Sequence, residues 1–266
     1  MSEPTPAPHP DEERLRDLLS AVPRWGRVRV LAATGSTNDD LAADARAGRA
    51  HPGSVLLSWH QQQGRGRLDR VWTAPPGAAS ATSVLVDVDA VPLARVPWLS
   101  LVVGLAVVAG VERSTGLRPA LKWPNDVLLD GRKVCGILAE RVETPTGPAA
   151  VLGWGLNLTQ TAEQLPVPTA TSLALAGARD VDGLVVAAAV LSELDGRLER
   201  WRQDSGELLA EYRGVCATLG REVVVHLPGG ETVTGRALDA DPSGRLVVDV
   251  AGRPRAFAVG DVVHLR

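Results

Sequence analysis

The chain has 266 residues, with 28 lysines and arginines against 31 aspartates and glutamates, a net charge of −3, and 45% hydrophobic residues. That length supports one large domain, or one with a small appendage, around a sizeable core. The mildly acidic balance argues against a general nucleic-acid binder, which carries a basic excess. Two cysteines without CxxC spacing, Cys135 and Cys216, point to a reduced, cytoplasmic protein, and five scattered histidines argue against a zinc site.

Residues 1–10 are rich in proline and alanine, lack the apolar stretch of a signal peptide or membrane anchor, and read as a disordered tail. Leucines at 15, 18 and 19 make residues 11–20 a short amphipathic helix. Residues 27–33 alternate as a strand. Gly35-Ser36-Thr37-Asn38 breaks that strand and places hydroxyls and an amide where the N-cap of a helix over 39–47 belongs. A strand over 54–61 runs into a glycine- and arginine-rich loop, and another strand covers 80–88. Residues 96–114 are apolar nearly all round, which predicts a buried helix; the longest apolar run, 102–111, is too short to cross a bilayer. Strands are expected over 121–129 and 133–142, joined by the turn Asp130-Gly131-Arg132, and over 149–158. A long helical stretch over 182–212 is broken near 204–206. From residue 221 the texture changes to five short β-rich runs (222–227, 232–239, 246–250, 255–258 and 262–265) separated by turns, the pattern of a small barrel. The expected organisation is an α+β domain over 11–214 followed by a β-barrel domain over 215–266.

Four constellations carry chemistry. Gly64-Arg65-Gly66-Arg67-Leu68-Asp69-Arg70, preceded by Gln61 and followed by Trp72, combines backbone freedom with fixed guanidinium charge, a means of gripping a small anion. A basic Gly-Arg loop can also be a plain solvated turn. Ser36, Thr37 and Asn38 either cap a helix or form a polar floor for an uncharged ligand. In Lys122-Trp123-Pro124-Asn125-Asp126, Pro124 bends the strand or puts it at an edge, and Asp126 is a magnesium ligand or an ion-pair partner. Lys133 either reaches solvent or points its ammonium into a cleft, and Gly136 hints at close approach by a ligand. Finally, Gly153-Trp154-Gly155-Leu156-Asn157 leaves room for something flat against the backbone, with Asn157 either self-satisfied or reading a purine. No P-loop, nucleophile elbow or metal cluster is present, so the chemistry is one of positioning and charge stabilisation.

In this order the four segments resemble the biotin protein ligases. The resemblance implies a fold like the class II aminoacyl-tRNA synthetases, a mixed sheet flanked by helices, with a C-terminal SH3-like barrel. It implies that biotin and ATP give biotinyl-5′-AMP, which then modifies the target lysine of the biotin carboxyl carrier domain of an acyl-CoA carboxylase. Mg²⁺ is the implied metal, with Asp126 its candidate ligand. By the same resemblance Ser36, Thr37, Asn38, Gln61, Gly64, Arg65, Gly66, Arg67, Lys133 and Gly136 line the biotin site. Arg67, Arg70, Trp72, Asn125, Lys133 and Asn157 serve ATP and the adenylate. Lys133, Arg67 and Asp126 are the catalytic candidates, and a second mobile loop spans roughly 159–171. Asp69 departs from the more basic or glycine-rich character common in the family and partly cancels the loop's charge, through pairing with Arg67 or Arg70. Some members carry an N-terminal winged-helix DNA-binding domain. Here the first expected strand opens at residue 27, so a monofunctional ligase that binds neither DNA nor membrane, as a monomer or weak homodimer, is expected. The rival readings are a lipoate–protein ligase or octanoyltransferase and a non-catalytic biotin sensor.

Overall fold

The chain opens with helix α1 (Pro10–Leu18), strand β1 (Arg27–Leu31), helix α2 (Thr37–Arg46) and strand β2 (Ser54–Ser58). The computed structural model describes residues 9–68, 70–203 and 206–265. Residues 1–8 of the expected tail, and Asp69 with its expected pairing, therefore lie outside the described residues, whereas Pro10 opens α1. A hairpin of two short strands, β3 (Gly64–Arg65) and β4 (Val71–Trp72), precedes β5 (Ala79–Asp87) and helix α3 (Leu99–Thr115). Strands β6 (Ala120–Lys122), β7 (Asp126–Leu129), β8 (Arg132–Thr144) and β9 (Gly147–Asn157) follow, then helices α4 (Gly183–Arg202) and α5 (Glu207–Val215). The chain ends in β10 (Glu222–His226), β11 (Thr232–Ala240), β12 (Leu246–Val250), β13 (Arg253–Phe257) and β14 (Asp261–His264).

The main sheet has the order β1-β2-β5-β9-β8-β7-β6, with β1 and β2 parallel and every other neighbour antiparallel. Its central strands are apolar on both faces because both faces are covered. Leu57, Val84 and Leu152 point into a cluster with α3 and α4, while Leu56, Leu85 and Val151 meet Leu41 and Ala45 of α2 on the other face. The period-2 alternation of a strand thus sorts neighbouring residues into two cores. The helical segment Leu93–Thr115, which contains α3, is long and apolar enough to cross a membrane, but most of α3 is buried in the first cluster. It crosses α4 closely: a Cβ built on Gly110 would stand 2.7 Å from the backbone of Val190.

Two expectations are corrected. Residues 121–129 are not one bent strand but the hairpin β6–β7, with Lys122 paired to Asp126 around a turn that holds a cis Trp123–Pro124 bond. Pro124, which cannot donate to a ladder, sits in that turn. The strands at 133–142 and 149–158 extend toward each other and close a hairpin, paired from Cys135–Leu156 to Thr144–Gly147. As expected, the C-terminal residues form a small all-β unit: an antiparallel sheet of order β13-β12-β11-β10-β14, whose outer strands do not pair with one another among the described residues.

This second sheet is welded to the first. Ala217 N donates to Leu121 O at 2.7 Å, Trp98 Nε1 to Pro242 O at 2.8 Å and Trp123 Nε1 to Gly244 O at 3.1 Å. Val223, Val225, Leu246 and Val262 join the same apolar cluster as α3 and α4.

Candidate functional site

A cleft opens between the start of α2, the β3–β4 hairpin, the β6–β7 turn and the middle of β8 and β9. Its floor is polar. Ser36 caps α2 by accepting from Asp39 N, which fulfils the capping role the sequence allowed. Gln61 Oε1 accepts from both Thr37 N at 2.8 Å and Thr37 Oγ1 at 3.1 Å. Asn38 Nδ2 donates to Glu140 Oε2 at 2.8 Å and Leu138 O at 3.2 Å, and the buried Ser83 Oγ lies 2.7 Å from Asn38 Oδ1. The Asn38 amide is therefore held at both ends.

Three glycines make space. A Cβ at Gly153 would lie 1.9 Å from Asn38 Oδ1, and one at Gly155 would lie 2.5 Å from the Trp72 ring. At Gly136 it would lie 3.1 Å from Lys133 Nζ and 3.3 Å from Trp72. The two β9 glycines thus make room for the protein's own side chains, Gly153 for the Asn38 amide and Gly155 for the Trp72 indole. The β3–β4 hairpin carries it there by pairing Trp72 with Gly64, whose missing side chain clears the Trp72 carbonyl.

Charges line the opposite wall. Lys133 points into the cleft, with Nζ 2.6 Å from Asp126 Oδ1 and 5.9 Å from the Trp72 ring centroid; Lys122 Nζ is 3.8 Å from Asp126 Oδ2. Lys122 is depressed from the ordinary lysine pKa by burial, with Asp126 acting in the opposite sense. Arg67 Nη1 stands 3.4 Å from Asn125 Oδ1 and from Gly260 O. Burial lowers the Arg67 pKa while Asp261 and Asp126 pull it back, and a guanidinium stays charged throughout. Arg70 ion-pairs with Asp261 on β14, and Asn125 is knitted to β8 through Nδ2 donating to Ile137 O at 2.8 Å.

The structure therefore brings Ser36, Thr37, Asn38, Gln61, Arg65, Gly66, Arg67, Arg70, Trp72, Asn125, Asp126, Lys133 and Gly136 to one cleft. Asn157 lies outside its lining. It is buried, donates Nδ2 to Thr171 O at 2.9 Å and accepts from Gln160 Nε2 at 2.8 Å, the self-satisfied alternative. The segment after β9 still reaches the site by its backbone: Lys133 N donates to Thr169 O, and Thr171 N to Lys133 O, both at 2.8 Å. Asp126 is the ion-pair partner of two lysines, and among the described residues no group of three acidic, histidine or cysteine side chains converges on it. The side chains present thus do not form a magnesium site by themselves.

Sequence reasoning missed Ser83, Glu140, Asp39 and Asp261. The first two had a signal: a run of hydroxyls, Ser80 to Ser83, in an otherwise apolar strand, and a lone acid at the end of the apolar stretch of β8. Asp261 had none, because only tertiary packing brings β14 to the loop.

Comparison with known proteins agrees with this geometry. The profile of the biotin/lipoate A/B protein ligase family matches residues 30–157, and that of the biotin protein ligase C-terminal domain matches residues 218–265. The chain is 46% identical over 260 residues to the biotin–[acetyl-CoA-carboxylase] ligase of Mycobacterium tuberculosis, covering 96% of both chains. It is 31% identical over 242 residues to the bifunctional ligase/repressor BirA of Escherichia coli, covering 89% of this chain and 74% of that protein. Among solved structures, the biotin protein ligase of Aquifex aeolicus in complex with biotin and ATP superposes with a TM-score of 0.77 at 25% identity, covering 90% of this chain and 99% of the other. With its floor, loop and lysine in one cleft and a relative aligned along nearly its whole length, the chain belongs to the biotin protein ligase family.

Proposed function

We propose that the protein is an ATP-dependent biotin–protein ligase. It activates the biotin carboxylate as biotinyl-5′-AMP and transfers the biotinyl group to the target lysine of a biotin carboxyl carrier domain. One juxtaposition carries this assignment: the Lys133 ammonium and the Arg67 guanidinium face the same cleft as the uncharged floor of Thr37, Asn38 and Gln61. A neutral ring system suits the floor, and a carboxylate meeting a phosphate suits the cationic wall.

In the first step a carboxylate oxygen of biotin bonds to the α-phosphorus of ATP while the bond to pyrophosphate breaks. Two anions must approach, and Lys133 and Arg67 offset the repulsion and stabilise the charge that builds on the phosphorus oxygens. Asp126 holds the Lys133 ammonium in place at 2.6 Å, a positioning contact. In the second step the carrier lysine, as the free amine, bonds to the acyl carbon, AMP departs with the anhydride oxygen, and the amine proton passes to solvent or to Asp126. Magnesium would accompany the nucleotide phosphates, and no step here is assigned to it.

We further infer that the C-terminal strands form the SH3-like barrel of this family, as residues 215–266, and that residues 11–214 form its class II synthetase-like catalytic domain. The 218–265 match supports the first inference, as does the register shift of β11 between Ala237 and Asp239, where a strand can bend. Pyrophosphate release measured with biotin, and separately with lipoate, tests the assignment. Release with biotin alone is expected; release with lipoate at a similar rate would sink it.

A further inference from the structure

Arg65 belongs to the loop that should grip an anion, yet its charge is already taken. Its Nε donates to Asp39 Oδ2 at 2.9 Å and its Nη2 to Asp39 Oδ1 at 2.5 Å. The same Nη2 lies 3.0 and 2.9 Å from the two carboxylate oxygens of Glu140. Two carboxylates on one guanidinium leave a local charge of −1, which repels a phosphate. Arg67 differs: its contacts at 3.4 Å are to the neutral oxygens of Asn125 and Gly260. Glu140 also accepts from Asn38 Nδ2 at 2.8 Å, and Ser83 holds the other end of that amide at 2.7 Å. A continuous polar chain, Ser83–Asn38–Glu140–Arg65, therefore runs from beneath the cleft floor to the loop that covers it.

We propose that Glu140 is a positioning residue that ties the covering loop to the biotin floor through Arg65, so that Arg65 is a strut of the loop and not a phosphate ligand. The proposal rests on the ligase assignment for what is bound, but the strut itself is a property of the free protein. Arg65 and Glu140 are 42% and 32% exposed. An isolated pair so exposed shifts an equilibrium by about fivefold at most. Here the carboxylate is additionally fixed by the Asn38 amide, and the guanidinium meets Asp39 through two nitrogens, the geometry that makes such contacts effective. An ordering equilibrium for a short loop needs no more than that.

Glu140→Gln removes the charge of the strut: the glutamine carbonyl in the place of Oε2 can still accept from Asn38 and from Arg65, while its amide in the place of Oε1 faces Arg65 with the wrong polarity. Arg65→Gln removes the strut from the other side, and Arg113→Gln is the control: Arg113 forms a surface pair with Glu193 at 2.6 Å, remote from the cleft. In ligand-free protein, backbone amide exchange across residues 64–68 and 70–72 should rise about fivefold in both cleft variants and not in the control. With ligands, release of biotinyl-5′-AMP followed by stopped-flow should speed up by roughly the same factor, with the KM for ATP and the unfolding midpoint unchanged. The double variant Glu140→Gln/Arg65→Gln should be no worse than either single one. Parental exchange rates in Glu140→Gln, additive effects in the double variant, or a rise in the ATP KM confined to Arg65→Gln would each overturn the proposal. If the parent forms no adenylate the ligase assignment fails, and the exchange measurement still decides the strut.

Discussion

Two arginines separated by one residue do different work because their neighbours differ. Arg65 is paired with Asp39 and Glu140, whereas Arg67 stands over the cleft with its hydrogen bonds to neutral oxygens and, among the described residues, no ion pair. Arg67→Ala should speed biotinyl-5′-AMP release far more than it weakens ATP binding. Hydrogen bonds to charged groups contribute about 1.5–3 kcal/mol, which predicts roughly 10- to 150-fold. Stopped-flow release beside nucleotide titration measures both, and an unchanged off-rate would contradict the loop's role. Gly153→Ala tests the floor. Its Cβ would lie 1.9 Å from Asn38 Oδ1, and Asn38 is held at both ends, so the amide must shift. Biotin affinity should fall with a stability loss of about 1–3 kcal/mol, the usual effect of overpacking; calorimetric titration showing parental affinity would contradict it. The type and order of the cleft residues were legible in the chain, since Ser36 to Asn38, Arg67, Asp126 and Lys133 converge. Who satisfies whom was not legible. Glu140 and Ser83 acquire their meaning only when β8 and β5 lie beside α2, and Asn157 turns away from the cleft to Thr171 and Gln160.

At the scale of elements, long periodic segments were readable and short or doubled ones were not. Helix α3 announced itself by being apolar all round, and β9 by its nearly all-apolar run. The two-residue strands β3 and β4 have no period to detect, and they carry Arg65 and Trp72 to the cleft. Residues 121–129 looked like one strand because both limbs are apolar, so composition hid the β6–β7 hairpin and the turn that sets Asp126 against Lys133. The α3–α4 crossing carries its own prediction. Gly110 lets the helices touch: a Cβ there would meet Val190 at 2.7 Å, and backbone cannot yield as the tip of a side chain can. Gly110→Ala should lower the unfolding free energy by about 1–3 kcal/mol in urea titration while leaving the cleft chemistry intact. A parental midpoint would show the crossing to be looser than described.

The whole molecule is knit by packing between the two sheets. Trp98 and Trp123 donate across to Pro242 and Gly244, one apolar cluster spans both sheets, and Arg70 reaches Asp261 from the cleft loop. The α+β plan, the helices on both faces and the change of texture near residue 221 could be read from the chain. The order of the strands in each sheet could not, because strand pairing depends on contacts far apart in sequence. His264 gives this scale a pH signature. Burial, followed by repulsion from Lys122 and Arg221, pushes it from 6.5 down to about 4. The unfolded chain therefore takes up a proton below about pH 6.5 and the folded chain only near pH 4. Stability should fall as pH drops through that window, with no contribution from this group above it. His264→Gln should lose less stability than the parent between pH 7 and pH 4.5, and parallel losses in urea titrations at the two pH values would contradict the half-buried, neutral histidine.

The central claim concerns what the assembled cleft does. Purified protein, ATP, Mg²⁺ and labelled biotin would be incubated with a purified biotin carboxyl carrier domain, alongside labelled lipoate. Label on the carrier's target lysine that requires ATP and appears only with biotin is the predicted result. Absence of label while biotin still binds, or equal labelling by lipoate, would contradict it.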